Sequence, residues 1–431
     1  MLNGIFVFLI FSSILLAAWT GRMQLLTEAI LKEGGKAVDL AIGLVGVMAL
    51  FLGLMRVAEQ AGLLKILARI VAPVMRRLFP EVPPDHPAMS AMILNIGSNM
   101  MGLANAATPF GIRAIEELDK LNGRKGTATN AMVLFLAINT AGLAVLPSGV
   151  IGIRAALGSE NAAAIFFPTW FASGCATLVG IMAALLLSRL PRYRASAPPV
   201  LSPSGDSADA VVGGDDDEPV TPSRWRSIGT TVFFVAYILM LGRFLFRAVS
   251  DLPPLEVAKQ TMSYWILPAI VAALVLFGWS RGVRVYEAVV EGAKEGFQVA
   301  LRIIPFLVAI LVAVGMFRAS GGIDLLVGAI GPLTGWIGMP AEALPMAVLR
   351  PLTGSGALAV MSEIMTTHGP DSFIGYMVST FQGSTETTFY VLAVYFGAVG
   401  VKRTRHALPA CLIADAAGIL AAVFIVNLFF G

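Results

Sequence analysis

The sequence predicts an all-α polytopic membrane protein made of two homologous helical halves. Each half carries broken or re-entrant helices, and a flexible linker plus an extra transmembrane helix joins them. Three observations carry this expectation. The chain is 57% hydrophobic and 13% charged, with a mean hydropathy of +0.80, whereas a soluble domain is about 25% charged. Apolar runs of roughly 20 residues, enough to cross a bilayer, recur along its length. A stretch of the first half also returns in the second.

Taken in order, residues 2–20 read as a first spanning helix. They lack a basic start and a small-residue cleavage site, so a removed signal peptide is not expected. Further spanning or half-spanning helices are expected near 37–58, 88–112, 128–150 and 165–190. Residues 191–226, "PRYRASAPPVLSPSGDSADAVVGGDDDEPVTPSRWR", hold too much Pro, Ser, Gly and acid to pack a core. Arg192, Arg194, Arg224 and Arg226 flank this linker and predict a cytoplasmic location for it. Helices resume near 228–249, 263–280, 297–318, 342–366, 373–400 and 407–430. Amphipathic pieces near 61–79 and 284–295 are expected at the membrane interface. The division is therefore 1–190 for the first unit, 191–226 for a disordered linker, 227–262 for a connecting helix and loop, and 263–431 for the second unit.

The repeat is visible directly. "TEAILKEGGKAVDLAI" (27–42) reads against "YEAVVEGAKEGFQVAL" (286–301). Trp19 and Arg22 answer Trp279 and Arg281, and Pro73 answers Pro332. Helix 228–249 has no first-half counterpart and reads as a joint carrying the chain across the membrane. Loop charge leaves the relative orientation of the halves open. Arg22, Arg281 and Arg284 favour parallel units, while the basic linker and "KRTRH" (402–406) favour inverted ones.

Polar residues gather where the apolar runs are interrupted. "LNIGSNMMGLANAATPFG" (94–111) places Asn95, Ser98, Asn99, Asn105 and Thr108 beside Gly97, Gly102, Pro109 and Gly111, which break or kink helices. Non-helical backbone survives in hydrocarbon only where protein or a water-filled cavity surrounds it. The ends of broken helices, with amides and hydroxyls nearby, can hold a polar solute. The second half has its own version, "LRPLTGSGALAVMSE" (349–363), with Arg350, Thr353, Ser355 and Glu363. A second pair follows: "TNAMVLFLAINTAG" (129–142) carries Asn139 and Thr140, and "FQGSTETTFY" (381–390) carries Gln382, Ser384, Thr385, Glu386 and Thr387. An acid in such a span faces a cavity or a cation. Arg350 is the expected partner of Glu386 or Glu363. Against this stands simple helix adhesion, since polar side chains also bond neighbouring helices at about 0.6–2 kcal/mol each.

Other chemistries are not expected. Cys175 and Cys411 lie in apolar stretches, without spacing for a disulfide or a metal. His86, His368 and His406 sit in loop-like stretches and are not placed as ligands or bases. "TGSGA" around Ser355 lacks the nucleophile-elbow spacing, and no phosphate-binding loop appears. Asp415, alone in the last span, reads either as a functional acid or as a bond to a neighbouring helix, with the second slightly preferred. No catalytic residue, metal or cofactor is therefore expected, and the chain is not read as an enzyme.

"LNIGSNMMGLANAATPFG" followed by "TATNAMVLFLAINTAGL" closely resembles the spore maturation protein A family. "VEGAKEGFQVALRIIPFLVAILVAVGMFRASG", "HGPDSFIGYMVSTFQGSTETTFYVLAVYFGAVG" and "KRTRHALPACLIADAAGI" resemble the spore maturation protein B family. Both are similar to the broad nucleoside-recognition "Gate" group, which includes the membrane part of ferrous-iron transporters and segments of concentrative nucleoside transporters. The resemblance implies an A–B fusion, multi-pass in the bacterial cytoplasmic (inner) membrane, with a transport-like role. In spore formers the family is linked to dehydration of the spore core. It carries no substrate with it, because "nucleoside recognition" is a domain label.

The function expected is therefore a transporter or channel-like protein for a small polar solute, with its site between the repeats at mid-membrane. The alternative is a non-transporting scaffold or regulator of envelope or spore maturation. Expected partners are the lipid bilayer and that solute, not nucleic acid, and homo-oligomerisation is left open.

Overall fold

The structure, a computed structural model, describes residues 2–101, 104–145, 147–199, 201, 224–251, 253, 257, 260–261 and 264–431. These residues are helical, without strands. The first half is α1 (Leu2–Thr20), α2 (Met23–Gln60), α3 (Leu63–Leu78), α4 (Pro87–Met100), α5 (Ala104–Lys120), α6 (Asn130–Ala141), α7 (Ser148–Ala156) and α8 (Phe166–Arg189). Two connecting helices follow, α9 (Pro191–Arg194) and α10 (Arg224–Asp251). The second half is α11 (Ile266–Ser280), α12 (Val285–Ala319), α13 (Gly322–Gly335), α14 (Leu344–Leu349), α15 (Gly354–His368), α16 (Phe373–Ser384), α17 (Thr388–Ala398) and α18 (Ala407–Phe430). Helix for helix, α11–α18 repeat α1–α8.

Local chemistry sets the starts and stops. Pro87 occupies the first position of α4, where its missing N–H costs nothing, and His86 Nδ1 accepts from the Ala88 N–H (3.1 Å). Thr129, Thr353 and Ser372 cap α6, α15 and α16 by accepting from Met132, Gly356 and Gly375. Gly142 ends α6 in the left-handed region, φ 54°.

The halves are inverted. A Cβ on Gly53 of α2 would meet the Val289 carbonyl of α12 at 2.7 Å, while Glu33 lies against Gly315, so α2 and α12 run antiparallel. Their equivalents at the other seam do likewise: Phe167 of α8 meets Phe429 of α18 (5.5 Å between centroids), and Gly180 meets Ala414. The exchange extends outward. Helix α1 lies on α12 and α11 on α2, and both α6 and α16 rest on the α8–α18 pair.

Two ends of the bundle follow. At one, basic end, the Lys402 and Arg403 N–H groups donate to the Gly126 carbonyl (2.9 and 3.0 Å), and Arg405 donates to the Tyr193 carbonyl (2.5 Å). At the other, the fully buried Arg154 donates to the Pro370 carbonyl (2.6 Å) and pairs with Asp371 (2.8 Å). Helices α4 and α5 form a hairpin that opens at the basic end, where Asn130 reaches Glu81 (3.4 Å). Helices α14 and α15 form its counterpart, opening at the opposite end. Helices α6–α7 and α16–α17 are two crossings, each broken midway.

Some boundaries differ from expectation. The span foreseen near 37–58 is the last part of a 38-residue helix. Residues 284–295 are not a separate interfacial helix but, from Val285, the first turns of α12. No breaker follows them, Gly292 and Gly296 seat against α2, and Glu291 pairs with Arg56 (2.7 Å). Pro199 and Leu201 are held to the α5–α6 loop, with Gly123 donating to Pro199 and Leu201 to Leu121 (both 2.9 Å). Residues 202–223 of the expected linker lie outside the described residues.

By length and composition, four helices among the described residues can cross a membrane: Met23–Gln60, Ala162–Arg189, Arg224–Ser250 and Ala407–Phe430. The pair Leu311–Ala319 and Gly322–Ala329, bent by 74°, makes a fifth. Helix α10 stands at the rim, touching α11 through Tyr237, whose hydroxyl donates to the Trp265 carbonyl (2.6 Å).

Candidate functional site

The four interruptions meet. The tip of the first hairpin touches the break in its own half, as Val145 N–H donates to the Met100 carbonyl (3.1 Å). The second hairpin repeats this, with Phe389 N–H donating to the Pro351 carbonyl (3.1 Å). The two breaks touch each other through the Glu386 N–H and the Thr140 carbonyl (2.7 Å).

On the first half the polar groups are neutral and interlinked. Asn95 Nδ2 donates to the Ala107 carbonyl (2.7 Å), closing the hairpin, and to the Tyr395 hydroxyl (3.2 Å). Asn99 Nδ2 donates to Asn139 Oδ1 (2.9 Å), which also accepts from Tyr395 (3.4 Å). Asn139 Nδ2 in turn donates to the Phe135 carbonyl (2.9 Å). Gly111 makes room for the Tyr395 ring, which occupies the space of a Cβ there. Ser98 and Thr140 are fully buried, and Thr108 is partly buried on α5. The side chain of Asn105 lies outside the described residues.

The second half is charged. Arg350, 3% exposed, donates to the Thr385 carbonyl and to Thr387 Oγ1 (3.3 Å), with Glu386 Oε2 3.7 Å away. Of the two acids that sequence left open, Arg350 therefore faces Glu386. On α18, Asp415 Oδ2 accepts from Thr388 (2.7 Å). Glu386 is about half exposed, so one carboxylate of the group is reachable. Ser384 and Thr385 are buried at the extended break, Thr353 caps α15, and Ser355 and Gln382 are partly buried.

Several buried polar atoms here have no hydrogen-bond partner among the described residues: Asn95 Oδ1, Ser98 Oγ, Gln382 Oε1, Thr385 Oγ1, Arg350 Nε and Asp415 Oδ1. Such groups cost about 1–3 kcal/mol each when left unsatisfied. They are the donors and acceptors a polar guest or bound water would engage. No three carboxylate, histidine or cysteine side chains among the described residues gather to hold a metal ion.

Glu363 does not join this group. Ten residues beyond Thr353, it lies about 15 Å farther along α15 at 1.5 Å per residue and pairs with Arg318. Sequence reasoning also missed Tyr395 and the buried Arg154, since a lone hydroxyl or guanidinium in an apolar run says nothing of what it meets. Their only signal was polarity out of place. Asp415 bonds the neighbouring helix, as its isolation suggested. Outside the spans, burial beside Arg405 pushes the His406 imidazole down to about 4, and burial also lowers His86.

The description "Nucleoside recognition", Gate, matches residues 41–157 and 300–402. These segments hold both hairpins and both broken crossings. The chain belongs to the Gate family. It is 46% identical over 170 residues to spore maturation protein B of Bacillus subtilis (strain 168), covering 39% of this chain and 96% of that protein. It is 40% identical over 194 residues to spore maturation protein A of the same organism, covering 45% of this chain and 97% of that protein. The two similarities fall on different parts of the chain, so this Gate protein is a fusion of an A-like and a B-like unit. No solved structure matches it.

Proposed function

We propose that this Gate protein is an integral inner-membrane transporter or channel for a small polar solute, bound where the two hairpin tips and two helix breaks converge. The observation carrying this reading is the set of buried, unpartnered polar atoms at that crossing, with the half-exposed Glu386 beside them. Asn95, Ser98, Asn99, Thr353, Ser355, Gln382 and Thr385 replace the solute's water shell, and Arg350, Glu386 and Asp415 set charge selectivity. The basic end, with Arg192, Arg194, Lys402, Arg403 and Arg405, faces the cytoplasm by the positive-inside tendency. The partners in this reading are lipid and the solute, with no role for nucleic acid, cofactor or bond-making chemistry.

The test is flux of small polar solutes in proteoliposomes. Asn99→Leu and Glu386→Ala variants that fold are expected to lose most of it, and unchanged flux in both removes these residues from the role.

A second reading has its own support. Asn95, Asn99, Asn139 and Tyr395 bond one another, as helix adhesive does. A scaffold in envelope or spore maturation, the latter named in the relatives' descriptions, needs no passage. Deleting 195–222 separates the two: a scaffold acting through its linker loses function, whereas a transporter keeps its flux.

A further inference from the structure

Away from the crossing, at the end of the bundle where α7 and α15 finish, a cavity of about 280 Å³ lies between α2 and α15. At roughly 30 Å³ per water it holds on the order of nine waters, or one solute of that bulk. Its polar lining is Glu33, Lys36, Asp39, Glu363, Thr366 and Thr367. Three carboxylates therefore face one ammonium, and that ammonium is already taken, because Lys36 pairs with Glu33 at 2.7 Å.

The decisive group is Glu363. Its side chain is 4% exposed, and one oxygen is held by Arg318 from the far side. The other, Oε2, is buried without a hydrogen-bond partner among the described residues. A buried carboxylate oxygen with nothing to accept from is costly, and this one belongs to a residue lining an open cavity. A second cavity, about 200 Å³, shares Glu363 and Thr367 with the first and is lined beyond them by Arg318, Asp324, Glu342 and His368. Carboxylate oxygens with threonine hydroxyls beside them receive a cation that brings its own N–H donors. A bare metal ion requires convergent ligands, and no three carboxylate, histidine or cysteine side chains converge among the described residues.

We propose that this cavity is a binding site for a small organic cation, a primary ammonium or guanidinium, received by Glu363 Oε2 and Asp39 with Thr366 and Thr367 beside them. The inference does not depend on the transport reading, because its measurement is binding and its residues lie apart from Asn99 and Glu386.

The test uses the full chain in detergent or nanodiscs, titrated with propylammonium and methylguanidinium chlorides by calorimetry and thermal shift, with sodium chloride at matched ionic strength. Saturable binding of the organic cations is expected, weakened at least tenfold by Asp39→Asn and by Glu363→Gln and unaffected by Glu386→Gln. Should Glu363→Gln fail to fold, Asp39→Asn, on a different helix, carries the comparison. Absence of saturable binding, an equal response to sodium, or unchanged affinity in the folded variants overturns the proposal. Loss of flux in Glu386→Ala with cation binding intact separates this site from the crossing.

Discussion

The Glu386 N–H donates to the Thr140 carbonyl at 2.7 Å, tying the break in the second half to the last turn of α6 in the first. Neither residue has a regular helical partner to spare for the other. The bond forms because Thr140 sits in the last turn of α6, whose carbonyls lack intrahelical donors, and Glu386 sits in the extended break between α16 and α17, where its N–H has no intrahelical acceptor.

Gly142 makes this junction, so its replacement tests it. Its φ of 54° disfavours a side chain by about 1–2 kcal/mol, and a Cβ there would sit 2.8 Å from Glu386 Cγ. Gly142→Ala is expected to lower the melting temperature in detergent, and Glu386→Ala in the same chain to recover the part due to the clash. A Gly142→Ala protein that melts like the parent refutes the assignment.

Arg154 braces the opposite end from within. Fully buried, it reaches the Pro370 carbonyl, Ser379 (3.1 Å) and Asp371, with its guanidinium over the Tyr376 ring at 4.5 Å. Removing it takes a donor from the Pro370 carbonyl and the cation from Asp371, to which Ser159 and the Glu160 N–H still donate, so Arg154→Met is expected to cost about 1–3 kcal/mol. Asp371→Asn costs less, because Asp371 is 32% exposed and partly screened by solvent. Chemical denaturation of both variants gives the order, and the reverse order contradicts this account.

His406 predicts a pH response. Folded, its imidazole titrates near 4, below its ordinary 6.5, so it is buried neutral. Between those values the unfolded chain holds the extra proton. The stabilisation is therefore whole above about pH 6.5 and disappears as pH falls toward 4. Melting temperatures measured from pH 7.5 to 4.5 are expected to fall, and to fall less steeply in His406→Gln. Parallel curves for the two proteins exclude His406 as the source.

The long α2–α12 seam depends on missing side chains. A Cβ on Gly296 would come within 2.6 Å of Ala49 Cα, backbone that cannot step aside. Gly296→Leu is expected to separate the two helices and sharply reduce folded yield on size-exclusion chromatography, while Gly328→Leu, on α13 with open space around it, is tolerated. Equal yields count against close packing here.

Much of this was legible in the sequence. Hydropathy marked the spans, and Gly–Pro–Asn clusters marked the interruptions, because both follow from the cost of exposing backbone to lipid. The repeat was readable in residues 27–42 and 286–301. What hydropathy lacks is direction. The inversion of the halves appears only when Glu33 is found beside Gly315 and Gly53 beside Val289. Partner choice was hidden for the same reason: Glu363 and Glu386 look alike in sequence, yet one meets Arg318 and the other Arg350.

The inversion has a consequence for symmetry of use. Two copies of one plan enter from opposite ends, but evolution has lined them differently: amides on the α4–α5 tip, a guanidinium on the α14–α15 tip. Toward the basic end the first hairpin tip presents neutral amides, and toward the opposite end the second presents a buried guanidinium. The protein is thus mirrored in architecture and polarised in chemistry.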